Sequence, residues 1–101
     1  MIIHTVYFWM ADTATESDRD QTVADCRELL TQVPTVRSLH AGTPADTPPR
    51  DVVDGSFGVG LTVIFDDVAG AAVYDTHPKH LEFIERNKHA WAKVVVYDVA
   101  A

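Results

Sequence analysis

One hundred and one residues with eight basic against fifteen acidic side chains, a net charge of −7, exclude a binder of phosphate backbones or anionic lipid, since the basic residues are scattered singly. A composition 47% hydrophobic and 23% charged is that of a globular domain, large enough to bury roughly 65% of its unfolded surface without staples. No apolar run approaches the ~20 residues of a membrane span, Met-Ile-Ile-His lacks the pattern of a secretory leader, and one cysteine cannot form an internal disulfide; a single domain over residues 1–101, in the cytoplasm, is expected.

Residues 2–10 are β-branched or aromatic almost throughout and read as a strand. Ile2, His4, Val6, Phe8 and Met10 share one face; Ile3, Thr5, Tyr7 and Trp9 share the other, so neither face is polar. Such a strand needs cover on both sides, helices on one and, in so short a chain, a second copy on the other. Thr15-Glu16-Ser17-Asp18 supplies capping and acidic groups for a helix whose apolar arc is Val23, Cys26, Leu29, Leu30 and Val33, opposite Gln21, Asp25, Glu28 and Gln32. Pro34 ends it.

Val36 to Gly42 reads as a shorter strand with Val36, Ser38 and His40 on one side. Thr43 to Asp54, with three prolines and three aspartates, reads as a surface loop that covers a pocket or is mobile. Phe57 to Phe65 is a strand with Phe57, Val59, Leu61, Val63 and Phe65 on one face, while Gly58 and Gly60 leave room on the other for something to approach. Asp66-Asp67 opens a short helix through Tyr74, and Lys93 to Val99 is the last strand. The order βαββαβ predicts an α+β, ferredoxin-like antiparallel sheet with helices on one face.

Between the last two helical stretches lies Tyr74-Asp75-Thr76-His77-Pro78-Lys79-His80. Proline disfavours helix at the residue before it and suits a helix start, so one helix ends near Asp75 and another runs from Pro78 to about Trp91. His77 is thereby the N-cap and His80 sits in the first turn. On that helix Lys79, Glu82, Glu85, Arg86 and His89 share a polar side, with Leu81, Phe83, Ile84 and Trp91 opposite and His80 and Asn87 in the middle of the apolar side. A polar group there must find a partner or line a cavity, because an unpaired buried one costs about 1–3 kcal/mol.

These elements and stretches, Ile3-His4-Thr5-Val6, Val33-Pro34 with the strand to Gly42, Leu61 to Phe65, Tyr74 with His77-Pro78-Lys79-His80, and Trp91 through Asp98, resemble the stress-responsive dimeric α/β-barrel (Dabb) family over essentially the whole chain. The resemblance implies a homodimer in which two sheets face each other to close a barrel. Most members have no established activity. In the plant olivetolic acid cyclase, a member that performs an aldol cyclisation, the residue in the place of His80 is the general base, that of Tyr74 holds the carbonyl oxygen, and that of His4 lies nearby. By the same resemblance Trp91, Val94, Val96 and Asp98 fall on a pocket wall, while Cys26 replaces a pocket tyrosine and Val59 a strand histidine.

The expected site therefore has His80 and Tyr74 as catalytic candidates, with His4, Val6, Phe8, Cys26, Val63, His77, Trp91, Val94, Val96 and Asp98 as ligand contacts. A satisfied structural histidine is the competing reading of His80, and N-capping that of His77. The bland reading of Cys26 is a small buried hydrophobe. A metal site is not expected, because the histidines lack ligand spacing, and neither is a cofactor. The protein is expected to bind a small, partly apolar, carbonyl-bearing molecule without established turnover, or alternatively to act as a cyclase-like lyase.

Overall fold

The computed structural model describes residues 1–101. In chain order it contains β1 (Ile2–Met10), α1 (Glu16–Leu29), β2 (Val36–Gly42), β3 (Val59–Phe65), α2 (Val68–Thr76), α3 (Pro78–Asn87) and β4 (Trp91–Ala100). All strand pairs are antiparallel, in the order β2-β3-β1-β4, which is the expected ferredoxin-like sheet. No helix is long and apolar enough to cross a membrane.

Local chemistry sets the helix boundaries. Thr15 caps α1 through a reciprocal box: its Oγ1 accepts from the Asp18 amide at 3.1 Å, and Asp18 Oδ2 accepts from the Thr15 amide at 3.0 Å. Asp67 caps α2 by accepting from the Gly70 amide. His77 caps α3 with Nδ1, which accepts from the Lys79 amide at 3.0 Å, and Pro78 takes the first helical position.

The core lies between the sheet and its one helical layer. Val6 and Phe8 of β1 and Val59, Leu61, Val63 and Phe65 of β3 meet Cys26, Leu29, Tyr74 and Phe83 from the helices. Leu81, expected on the apolar side of α3, is half exposed, whereas Phe83 and Asn87 are buried. Asp25 also departs from expectation. Periodicity puts it with the outward residues of α1, yet it is fully buried, because α3 packs over that side of the helix and supplies it with partners.

Two register shifts decide which side chains reach which face. In β2, Val36 pairs with Phe65 and Ser38 with Ile64, so Arg37 is an extra residue. Val36 therefore faces the core while Ser38 and His40 face the opposite side, and the three do not share a face as strict alternation suggests. In β4, Lys93 pairs with Trp9 but Trp91 pairs with Met10, leaving Ala92 unpaired. This bulge turns Trp91 to the helical side, where strict alternation from Val94 and Val96 would have put Ala92. The strand also begins two residues earlier than expected.

The room beside the glycines of the third strand is filled from within. A Cβ on Gly58 would meet Met10 Cγ at 2.6 Å, and one on Gly60 would meet the Phe57 ring at 3.3 Å. Phe57 precedes β3 and packs edge-on against Tyr7, centroids 4.9 Å apart, instead of alternating with Val59. The 43–54 loop reaches the Tyr7 and Phe57 side of the sheet, where Val52 and Asp54 border a hollow with Trp9 and Tyr97.

Candidate functional site

α2 leaves its last carbonyls without helical partners, and the break at Pro78 leads the chain straight into α3. His80, in the first turn of α3, uses this junction. Its Nδ1 lies 3.0 Å from the carbonyl oxygen of Asp75. A carbonyl can only accept, so Nδ1 carries a proton, and whenever the ring is neutral its lone pair lies on Nε2.

Tyr74, in the last turns of α2, stands beside it, with ring centroids 4.4 Å apart and inclined by 36°. Its phenol has no hydrogen-bond partner within the chain. The only sealed, unpaired side-chain polar atom is Nε of Arg19, so the Tyr74 hydroxyl opens to its surroundings. Burial pushes the phenol pKa well above its usual value, the nearby Cys26 and Asp75 adding to the effect, and this keeps the hydroxyl a donor. His4 reaches Tyr74 from β1, centroids 5.8 Å apart, and packs edge-on against Phe65. Its Nδ1 is 2.5 Å from Asp98 Oδ1 on the adjacent strand, a cross-strand pair fixed by the β1–β4 register.

These three rings border a cleft of about 300 Å³ between α3 and the β1–β4 edge. Val6, Phe8, Trp91, Val94 and Val96 line it as expected, joined by Leu61, Asp75, Phe83 and Ile84. Phe83 and Ile84 were legible as the i+3 and i+4 neighbours of His80 on one helical face. Asp75 had no side-chain signal. Four expected contacts lie elsewhere. Cys26 and Val63 are fully buried beneath the wall, His77 is turned to the α3 cap, and Asp98 stands behind His4. Burial pushes the Cys26 thiol up to about 12. No set of three or more His, Cys, Asp or Glu residues is arranged to hold a metal ion. The 43–54 loop borders the far side of the sheet and contributes nothing to the cleft.

The sequence matches the stress responsive A/B barrel domain over residues 2–101. The chain belongs to the Dabb family. No functionally curated protein matches it. Among solved structures, a dimeric ferredoxin-like protein of unknown function from Thermobifida fusca superposes with a TM-score of 0.82 at 20% identity, covering 99% of this chain and 90% of that one. A Dabb family protein from Mesorhizobium loti gives 0.77 at 22% identity, over 99% and 95%. The hydroxynitrile lyase of Passiflora edulis gives 0.78 at 27% identity, over 97% and 90%. Several of the similar structures are described as dimeric ferredoxin-like proteins of unknown function.

Proposed function

We propose that the cleft of this Dabb domain binds a small, partly apolar, carbonyl-bearing molecule, with His80 as general base and Tyr74 as donor to the carbonyl or alkoxide oxygen. The observation that carries this reading is the contact of His80 Nδ1 with the Asp75 carbonyl, which commits that nitrogen as a donor and leaves Nε2 as the free ring nitrogen, next to a phenol without a partner. The wall contains no lysine or arginine, and its only acidic side chain is Asp75, so an anionic ligand would find no counter-charge. Apolar and aromatic side chains supply the rest of the contact.

Two reactions use this pair in the same way. In an aldol cyclisation, His80 Nε2 takes a proton α to one carbonyl, and the electron pair of that C–H bond forms a carbon–carbon bond to a second carbonyl. The resulting alkoxide is stabilised by Tyr74 and then protonated. In cleavage of a cyanohydrin, favoured by the likeness to the passion-fruit enzyme, His80 takes the hydroxyl proton. The carbonyl forms at Tyr74, and cyanide leaves with the bonding pair and is protonated. Mandelonitrile cleavage, followed as benzaldehyde absorbance, and a small set of polyketide thioesters distinguish them. In a His80→Ala variant, loss of turnover with ligand binding retained supports the base. Unchanged turnover of a processed substrate rejects His80 as the base, whereas ligand binding with no turnover of any candidate leaves a binding protein.

The far side of the sheet supports a homodimer. Ile3, Tyr7 and Trp9 lie there beside Tyr97 and Val99, which are 61% and 52% exposed. Two such faces packed together would close the barrel and cover the apolar residues. A buried free thiol suits a reducing compartment, and we place the protein in the cytoplasm.

A further inference from the structure

We infer that Thr22, oriented through Asn87 by the buried carboxylate of Asp25, positions the Trp91 indole as the end wall of the cleft and so limits the length of apolar tail the cleft admits. The inference rests on the reading of this cleft as a ligand site. Asp25, Thr22 and Asn87 are each at most 1% exposed, and none of them lines the cleft.

The direction of every hydrogen bond in this chain follows from Asp25. Its carboxylate accepts from Gln21 Nε2 at 2.7 Å and from Asn87 Nδ2 at 2.9 Å, with Arg86 Nη2 at 3.3 Å. A carboxylate only accepts, so Asn87 must turn its NH2 group toward it; that group also donates to the Phe83 carbonyl at 3.0 Å. Oδ1 of Asn87 is thereby aimed at Thr22 and accepts a hydrogen bond from its hydroxyl at 3.1 Å. The Thr22 oxygen then has a lone pair for the indole N–H of Trp91, 3.3 Å away, and an indole N–H can only donate. Reversing any one link sets two donors or two acceptors face to face.

What this fixes is the aromatic end of the cleft. Along the cleft face of β1 come His4, Val6 and Phe8, and Trp91 stands opposite Met10, about 20 Å along the strand from His4. His80 and Tyr74 mark the polar end with His4. Trp91 packs on Phe8 and Phe83, with centroids 4.5 and 5.5 Å away, and the Ala92 bulge is what turns it inward. Packing holds the ring's faces, and Thr22 holds its edge.

The test compares Thr22→Val, which keeps the side-chain shape and loses the hydroxyl, with Thr22→Ser, which keeps the hydroxyl. The protein has two indole N–H resonances, and Trp9→Phe identifies that of Trp91. In Thr22→Val the Trp91 resonance moves and exchanges with solvent about tenfold faster, and Thr22→Ser restores both. Titration with 2-alkanones from butanone to decanone gives affinities that stop improving at a certain tail length in the wild type. Thr22→Val and Trp91→Phe both extend that limit. An unmoved Trp91 resonance in folded Thr22→Val overturns the positioning. If ketones bind and both variants keep the wild-type limit, the effect on tail length fails while the ligand site stands. If no 2-alkanone perturbs the wild-type cleft, the ligand-site reading itself fails, and the length limit with it.

Discussion

Tyr74 and His80 are six residues apart, yet their rings lie with centroids 4.4 Å apart. In one uninterrupted helix, residues six apart point about 120° away from each other and are separated by about 9 Å along the axis, so they cannot meet in this way. Pro78 ends α2, restarts the chain as α3 at a new angle, and folds the two side chains together. The same break frees the Asp75 carbonyl that sets the His80 tautomer. One proline thus accounts for both the proximity and the protonation pattern of the proposed base.

Removing only the Tyr74 hydroxyl separates chemistry from packing. Because that hydroxyl has no partner in the chain, Tyr74→Phe should leave stability within about 0.5 kcal/mol in urea unfolding. It should also lower turnover of a processed carbonyl substrate about 10²–10³-fold. Tyr74→Ala, by contrast, opens the core and should cost about 3–5 kcal/mol. A large stability loss in Tyr74→Phe would mean that the phenol is held by a bond the proposed role does not include.

His80→Ala should reduce turnover by about 10²–10⁴-fold, with the affinity of a non-reacting ketone little changed. Steady-state kinetics together with a ketone titration tests this. Equal losses in rate and binding would make His80 a ligand-holding group.

Light scattering on the wild type should give twice the 11.1 kDa chain mass. Tyr97→Glu places a charge on the far side of the sheet, away from the cleft, and should shift the protein toward monomer. A wild type that stays monomeric at micromolar concentration would contradict the paired sheets.

Cys26 has a pH signature. Its thiol, ordinarily near 9.0, is pushed up to about 12, burial being the larger cause and the Asp25 charge next. In the unfolded chain the thiol ionises first, so between pH 9 and about 12 the unfolded state binds fewer protons and stability falls as pH rises. The contribution is fully present below pH 9. Tyr74 acts in the same direction above its ordinary value of 10.0. Urea midpoints should therefore decline from pH 8.5 to 10.5, less steeply in Cys26→Ala, and iodoacetamide at pH 8 should label Cys26 only in the unfolded protein.

Gly58→Ala should destabilise by about 1–2 kcal/mol, since its new methyl would press on Met10 Cγ. Met10→Ala alone costs stability by loss of packing. Combined with Gly58→Ala, it should cost less than the sum of the two, as a double-mutant cycle in urea would show.

Much of this protein follows from local rules that neighbouring residues satisfy among themselves. The extended β1, the Thr15 box, the helix break at Pro78, the His77 cap and the order of elements all depend on backbone preference and on side chains within a few residues. The family resemblance carried by those stretches agrees with the Dabb match over residues 2–101. Only the tertiary structure decided the rest. Asp25 reads as a surface residue until α3 lies on it, His40 leaves the face of Val36 because Arg37 is extra, and Trp91 enters the cleft because Ala92 is skipped. Each outcome depends on strand register or on a contact across more than fifty residues, and periodicity along one element is blind to both.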